Sequence, residues 1–296
     1  MLLTSIIDQV AMECDIETTT KDQYKRAERR FSSWLGRPST HSDLTIDNLN
    51  GFMCDLQKNG LSGTTCRNYR VSITRLWNYA TKHYDHPRYD IHRVRKPKIQ
   101  RKPVVAWQAS QIASLLRGAQ DMIGRLKIGI DQSAFMRALV LAGYDTGLRP
   151  VDLRLLTWSS ICLKSKTFAI TQHKTSNPHS GLLSDDTVAA LKAILSPPRQ
   201  LVFPLSKGGM RRLELMLYRE SIRHGFHRSA GQGLGTIRKS HATAIYLSEG
   251  ECAAAESLGH VGGVRTARAS YIDHRAIKQG RLPISLDISQ ASRKIR

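Results

Sequence analysis

Five residues of this 296-residue chain are of types that act on phosphate esters, and they fall in an order that invites a joint reading: Arg149, Lys174, Arg238, His260 and Tyr271. Arginine suits a phosphodiester because its planar guanidinium stays ionised and can grip two phosphate oxygens at once. Tyrosine offers an oxygen nucleophile, and lysine a proton for a leaving group. Taken singly, each has a plainer reading. Tyr271 alone is a packing residue, Lys174 a solvated turn lysine, and Leu258-Gly259-His260 a helix C-cap followed by a surface histidine.

The surrounding sequence supplies the elements that must hold these side chains. The apolar run 135–141 reads as a buried helix, and Thr146-Gly147-Leu148-Arg149 then turns into a new helix opened by Pro150, with Asp152 at its positive end. Residues 168–174 alternate like a strand, and 175–180 make a hairpin turn with Lys174 at the strand end. Arg238 begins a helix whose stripe is Ala242, Ile245 and Tyr246 and whose stop is Gly250; a short helix follows over 251–258. Gly262-Gly263 then leads to a basic segment carrying Tyr271. Between these pieces, Trp107 precedes a loop and a helix near Ile112. Residues 185–195 and 210–224 read as helices, 201–204 as a short buried piece, and 284–296 as a tail with an amphipathic stripe of Ile284, Leu286 and Ile288.

The first third reads as helices. Residues 21–35 carry Tyr24, Ala27, Phe31 and Trp34 on one face, with Thr18, Thr19 and Thr20 as the expected cap. Residues 45–58 place Leu49, Phe52, Met53 and Leu56 inward. A third helix opens at Ser62-Gly63-Thr64, with Tyr69, Ile73, Leu76, Trp77 and Ala80 as its stripe and Arg67, Arg70 and Arg75 on its other faces. Residues 90–103 break the pattern. There Arg93, Arg95, Lys96, Lys98, Arg101 and Lys102 alternate with prolines that favour extended backbone. The expected division is a helical domain over 1–92, a basic linker over 93–104 and a second domain over 105–296.

The balance of 45 Lys and Arg against 24 Asp and Glu, a formal net charge of +21, points to a polyanionic partner. A ribosomal or chromatin-type basic protein would concentrate its charge in low-complexity tails, whereas here it is spread along patterned segments; an anionic membrane fits less well, with no long apolar run or lipidation signal. Five scattered cysteines without a C-x-x-C pair suggest reduced thiols and no structural zinc. The first residues lack the basic flank and length of a secretory signal, so a cytoplasmic protein is expected, nucleoid-associated if bacterial. No metal-protease, nucleotide-loop or nucleophile-elbow motif occurs, and no carboxylates cluster for two metals. No cofactor and no metal is expected.

The motif Thr146-Gly147-Leu148-Arg149 with an acid three residues on, Lys174 on a hairpin, Arg238 before Ala242-Thr243, Leu258-Gly259-His260, and Tyr271 together resemble the tyrosine recombinases, or phage-type integrases, over about 130 residues. The resemblance implies an all-α N-terminal core-binding domain plus a mixed α/β, mainly helical catalytic domain with a small antiparallel sheet, the DNA breaking-rejoining enzyme fold. It implies Arg149 and Arg238 as a phosphate clamp, Tyr271 as nucleophile forming a 3′-phosphotyrosine link, Lys174 as general acid and His260 as a phosphate hydrogen-bonder, with Asp152 in support. Arg67, Arg70, Arg75 and the linker cations would contact double-stranded DNA at a recombination site. It also implies a homo-tetramer on DNA from a protein that is monomeric in solution, served by DNA-bending accessory proteins, in a phage or other mobile element.

Two positions depart from the family pattern. Gly235 and Lys239 stand where histidines are usual, and His260 and Tyr271 are eleven residues apart, about two more than is common. Lys239 therefore reads either as a substitute catalytic cation or as a backbone phosphate contact. The departures keep a rival reading in view, a catalytically weakened relative that binds DNA as an architectural or regulatory protein. A topoisomerase-like enzyme without site preference and a plain basic nucleic-acid binder are further alternatives.

Overall fold

Each of the first four helices owes its place to one apolar stripe. The helix α1 (Leu3–Glu13) buries Leu3, Ile6, Ile7 and Val10, α2 (Thr18–Leu35) buries Tyr24, Ala27 and Phe31, and α3 (Ile46–Lys58) buries Leu49, Phe52, Met53 and Leu56. The longest, α4 (Gly63–His83), packs Ile73, Leu76, Trp77 and Ala80 against the others. Phe31 and Phe52 meet edge to face at 5.2 Å in the middle of this core, a favoured aromatic geometry. The computed structural model describes residues 1–88, 90, 92–100, 102–259 and 263–276. Its chain forms two compact units, Met1–Lys102 and Pro103–Arg296. Arg101, His260 and the tail 284–296 lie outside the described residues.

Thr45 and Ser62 cap α3 and α4 by accepting from the Asn48 and Thr65 backbone N–H groups. The threonines at 18–20 do not cap α2: the helix already begins at Thr18, behind Glu17. Arg70 also differs from expectation. It is only 9% exposed, because it sits three residues before Ile73 and seven before Trp77, on the buried side of α4. Arg67 and Arg75 are exposed as expected.

The extended segment after α4 is fastened to the first unit. The Trp77 indole N–H donates to the Pro87 carbonyl at 2.8 Å, and Val94 is buried in the core. Asn50 holds both sides of Val94: its amide N–H donates to Arg93 O at 3.0 Å, and its carbonyl accepts from Arg95 N at 2.7 Å. Arg93, Arg95, Lys96 and Lys98 are thereby displayed, exposed, on a backbone with a fixed path; Lys102 is exposed as well.

The second unit is built around one helix. After α5 (Ala109–Gln120), α6 (Gln132–Thr146) buries Phe135, Met136, Ala138, Leu139, Val140, Leu141, Ala142 and Tyr144, which between them cover all its faces. A single turn leads to α7 (Pro150–Leu155). Next comes an antiparallel sheet of β1 (Ile161–Cys162), β2 (Thr167–Thr171) and β3 (Pro178–Leu182), in that order, with Phe168 opposite Gly181 and Ile170 opposite His179. The helices α8 (Asp185–Ala193), α9 (Lys207–Ser221) and α10 (Gly235–Glu249) pack on α6, and α11 (Glu251–Glu256) and α12 (Val264–Ser270) finish the described chain. A small second core of Ala242, Ala254, Ala255, Leu258, Ala267 and Ile272 joins α10, α11 and α12. The unit is thus mainly helical with a small antiparallel sheet. No helix among the described residues is long and apolar enough to cross a membrane.

Candidate active site

The two arginines converge because three turns meet at the end of α6. Gly147 closes α6 in the left-handed conformation at φ +59°, and a Cβ there would lie 2.5 Å from His241 Cδ2. Only glycine satisfies both the backbone and the space. The chain then extends through Arg149, and Pro150 starts α7. On α10, Arg238 lies in the first turn and points into the same turn region. It is 1% exposed, and its guanidinium donates to Gly147 O at 2.5 Å and to Leu258 O at 2.9 Å.

Gln172 joins these parts. Its side chain is fully buried just beyond the end of β2. Its carbonyl oxygen accepts from Arg149 Nη1 at 2.6 Å and from Thr175 Oγ1 at 3.0 Å. Its amide N–H donates to Leu258 O at 2.9 Å, the same oxygen that Arg238 uses. Gly259, at φ +63°, leaves room for that contact, since a Cβ there would sit 2.6 Å from Gln172 Nε2.

Asp152 is 3% exposed and fixes the sheet rather than quenching an arginine. Its Oδ1 accepts from His173 N at 2.9 Å, whereas its Oδ2 stands 3.9 Å from Arg149 Nη1 with no hydrogen bond among the described residues. The Asp152 carboxylate thus stands 3.9 Å from the Arg149 guanidinium, and its charge reaches Arg238 as well. Burial, together with the charge of Arg149, lowers the Arg238 pKa to about 10, so it is still ionised at neutral pH. Arg238 thus keeps its charge although it is almost wholly buried.

Tyr271 follows α12 with its ring over Arg238, 4.8 Å from the guanidinium carbon. Its neighbours anchor it to the helix that bears that arginine. Ile272 is fully buried, Asp273 N donates to Thr243 Oγ1 at 2.9 Å, and Asp273 Oδ2 accepts from Ala106 N at 2.9 Å. Trp107 N in turn donates to Ser240 Oγ at 2.8 Å, so the first residues of this unit and the tyrosine segment are both tied to α10.

Two histidines complete the buried surroundings. His241 donates from Nδ1 to Tyr144 O at 2.6 Å, and burial, aided by Arg238, lowers its pKa to about 4. His179 donates to Thr146 O at 3.1 Å, and burial first, then the arginines, lowers its pKa too. Both are neutral supports of the Gly147 turn at physiological pH.

Of the residues singled out from sequence, Arg149, Arg238, Tyr271 and Asp152 come together here. Lys174 stands exposed in the hairpin turn, two residues beyond Gln172, rather than on the strand itself. Lys239 is half-buried on α10 with no ion pair among the described residues. At Gly235 an added Cβ would meet only Pro150 Cγ, at 3.9 Å. Leu258, which with Gly259 leads to His260, accepts from Arg238 and from the Gln172 amide through its carbonyl oxygen. Sequence reading missed Gln172 and His179, and gave no geometric reason to single out His241 from the nearby His224 and His227, because a buried glutamine or histidine carries no periodic or motif signal of its own. Among the described residues no group of three or more His, Cys, Asp or Glu side chains gathers to hold a metal ion.

No protein-family model matches the chain, and no curated protein matches it. Solved structures do. A lambda integrase (75–356) dimer bound to a COC′ core site superposes with a TM-score of 0.73 at 16% identity, covering 93% of this chain and 96% of that one. The Tn1549 transposon integrase (82–397) in complex with a circular intermediate DNA gives 0.69 at 13% identity over 94% and 99%. The XerH site-specific recombinase bound to a palindromic difH substrate gives 0.66 at 19% identity over 93% and 83%. At such identities the likeness is one of fold, and the fold of this chain is that of the tyrosine recombinases.

Proposed function

We propose that the chain is a site-specific DNA recombinase of the tyrosine type, serving a phage or other mobile element. The observation that carries this reading is the convergence of Arg149 and Arg238 with the Tyr271 ring 4.8 Å from the Arg238 guanidinium, in a chain of this fold. The two guanidiniums grip the non-bridging oxygens of a scissile phosphodiester and stabilise charge as the phosphorus becomes pentacoordinate. The Tyr271 oxygen forms a bond to phosphorus and the bond to the 5′-oxygen breaks, leaving a 3′-phosphotyrosine link. The phenolic proton leaves to solvent, and Lys174, on its exposed turn, protonates the departing 5′-oxygen. Bond energy is conserved in the link, so rejoining by the reverse step requires no ATP. His260 is assigned a hydrogen bond to the same phosphate, and Lys239 a phosphate contact or a share of the catalytic charge.

In this reading the helices of residues 1–92 form a core-binding domain, 93–104 a basic linker, and 105–296 the catalytic domain. Arg67, Arg75 and the displayed linker cations contact the DNA backbone, and four protomers assemble for two successive strand exchanges. The DNA-bound lambda and Tn1549 integrases and XerH recombinase support the choice of duplex DNA as partner.

The test uses duplexes spanning the ends of the DNA element that carries the gene, nicked beside the cleavage point so that the covalent intermediate is trapped. After denaturation the native protein should leave a DNA-linked band, and Tyr271→Phe should leave none. Tight, specific binding by the native protein without any band would sink the enzymatic reading and favour a DNA-binding relative.

A further inference from the structure

An uncharged amide, the side chain of Gln172, links Arg149 to the carbonyl oxygen that Arg238 uses. The chain of contacts runs from Arg149 Nη1 to Gln172 Oε1, from Gln172 Nε2 to Leu258 O, and from Leu258 O to Arg238 Nη2. A branch runs from Gln172 Oε1 to Thr175 Oγ1, inside the turn that carries Lys174. The backbone of Gln172 is equally occupied: its N–H donates to Asn177 O at 2.9 Å and its carbonyl accepts from Ser176 N at 2.8 Å, closing the turn at its base.

We propose that Gln172 is a positioning residue, one that holds the arginine pair and the lysine-bearing turn in a single geometry while leaving the pair's positive charge unspent. The proposal rests on the recombinase reading above. A glutamate of the same size would accept from Arg149 but neutralise it, and could not donate to Leu258 O while ionised. The amide does both tasks without charge. A fully buried amide with all its polar atoms satisfied also has one rotamer, so the hydrogen bonds fix direction as well as distance. Around metal sites, partners one layer behind the reacting groups change affinity or activity by about 10- to 100-fold when removed, and a loss of that order is expected here.

Gln172→Met keeps the buried volume and removes every side-chain hydrogen bond. With the full-length protein and the nicked duplex described above, adduct formation in a single turnover should slow by about 10- to 100-fold, while DNA affinity stays within about 3-fold of native. A duplex whose 5′-bridging oxygen is sulfur separates the two branches, since a thiolate departs without a proton. Slowing on both substrates assigns the loss to Arg149, and slowing on the oxygen substrate alone assigns it to the Lys174 turn; both support the proposal. A native rate with Gln172→Met, or a rate and an affinity that fall together, overturns it.

Amide hydrogen exchange without DNA gives an independent readout. Gln172→Met should speed exchange in residues 173–177 and 257–259 together while α6 stays protected, and unchanged exchange at both places overturns the proposal. This arm decides the role of Gln172 even if the native protein forms no adduct, in which case the recombinase reading alone has failed. Thr175→Val, at an exposed position, cuts only the branch to the turn. It should slow the oxygen substrate alone, and an unchanged rate there overturns the claim that Gln172 holds the lysine-bearing turn.

Discussion

The molecule holds positive charge in two unlike ways. Arg149 and Arg238 are buried or nearly so, few in number, and hydrogen-bonded to carbonyl oxygens that fix their direction. Arg93, Arg95, Lys96 and Lys98 are exposed on a backbone clamped by Asn50, and of their side chains Arg95 also donates to Cys54 Sγ at 3.1 Å. The first kind is costly to desolvate and is pre-aimed; the second costs little and is screened by salt. Under the proposed function the difference becomes a division of labour, with chemistry at the buried pair and affinity along the exposed segment.

The largest test of that division is Arg238→Lys. Lysine keeps the charge but is a point cation, and cannot donate to Gly147 O and Leu258 O in the fork that guanidinium provides. Adduct formation at saturating DNA should fall by about 10²–10³, or roughly 3–4 kcal/mol of transition-state stabilisation, as for loss of an oxyanion donor. Binding measured by titration should change far less. Equal losses in rate and affinity would erase the distinction between the two regions.

Next in size is an effect of pH on folding. The buried region excludes charge from His241 even as it holds Arg238 ionised. Folded His241 has a pKa near 4 against an ordinary 6.5, so between these values the unfolded chain binds the proton and the folded chain does not. Stability is therefore full above about pH 6.5 and is lost as pH falls toward 4, by up to about 3 kcal/mol at 1.36 kcal/mol per unit. Denaturant unfolding from pH 7.5 to 4.5 should show this slope, and His241→Gln should flatten it. An equally steep slope in the variant would assign acid sensitivity to other groups.

A smaller effect is expected from the exposed cations. Each phosphate contact contributes about 0.9 to the slope of log affinity against log salt, so replacing Arg93 and Lys96 by Gln should lower that slope by roughly 2. The single-turnover rate at saturating DNA should not change. If it dropped as far as the affinity, the fastened segment would belong to the chemistry as well.

The two regions were also unequally legible in sequence. Arginines 149 and 238 declared themselves through neighbours with fixed structural duties: the left-handed Gly147, the helix-opening Pro150, and Leu258-Gly259 before the turn. The exposed segment showed only as a run of basic residues with prolines, and nothing in it foretold that Val94 would be buried or that Asn50 would grip its backbone. Arg70 was misplaced because a face was assigned by charge rather than by its three- and seven-residue spacing to Ile73 and Trp77. α1 has the same spacing in Leu3, Ile6, Ile7 and Val10, plain in retrospect but not singled out as a helix of its own. Gln172 and the neutral histidines became visible only when distant segments met, since their roles are set by partners 23 to 97 residues away.

The smallest expected effect sharpens the picture of the buried region as pre-aimed. Gly235 begins α10, one turn ahead of Arg238, with φ outside the left-handed range, and an added Cβ would meet only Pro150 Cγ at an ordinary 3.9 Å. Gly235→Ala removes freedom from the unfolded chain and should stabilise by about 0.4–1 kcal/mol. If the Arg238 direction is set by Gly147 O and Leu258 O, stiffening the helix start leaves the rate of adduct formation within about 2-fold of native, since no reacting atom is displaced. A clear change in rate with unchanged hydrogen exchange at residues 257–259 would mean that the first turn of α10 moves during the reaction. The buried pair would then be aimed by the bound DNA rather than by the fold.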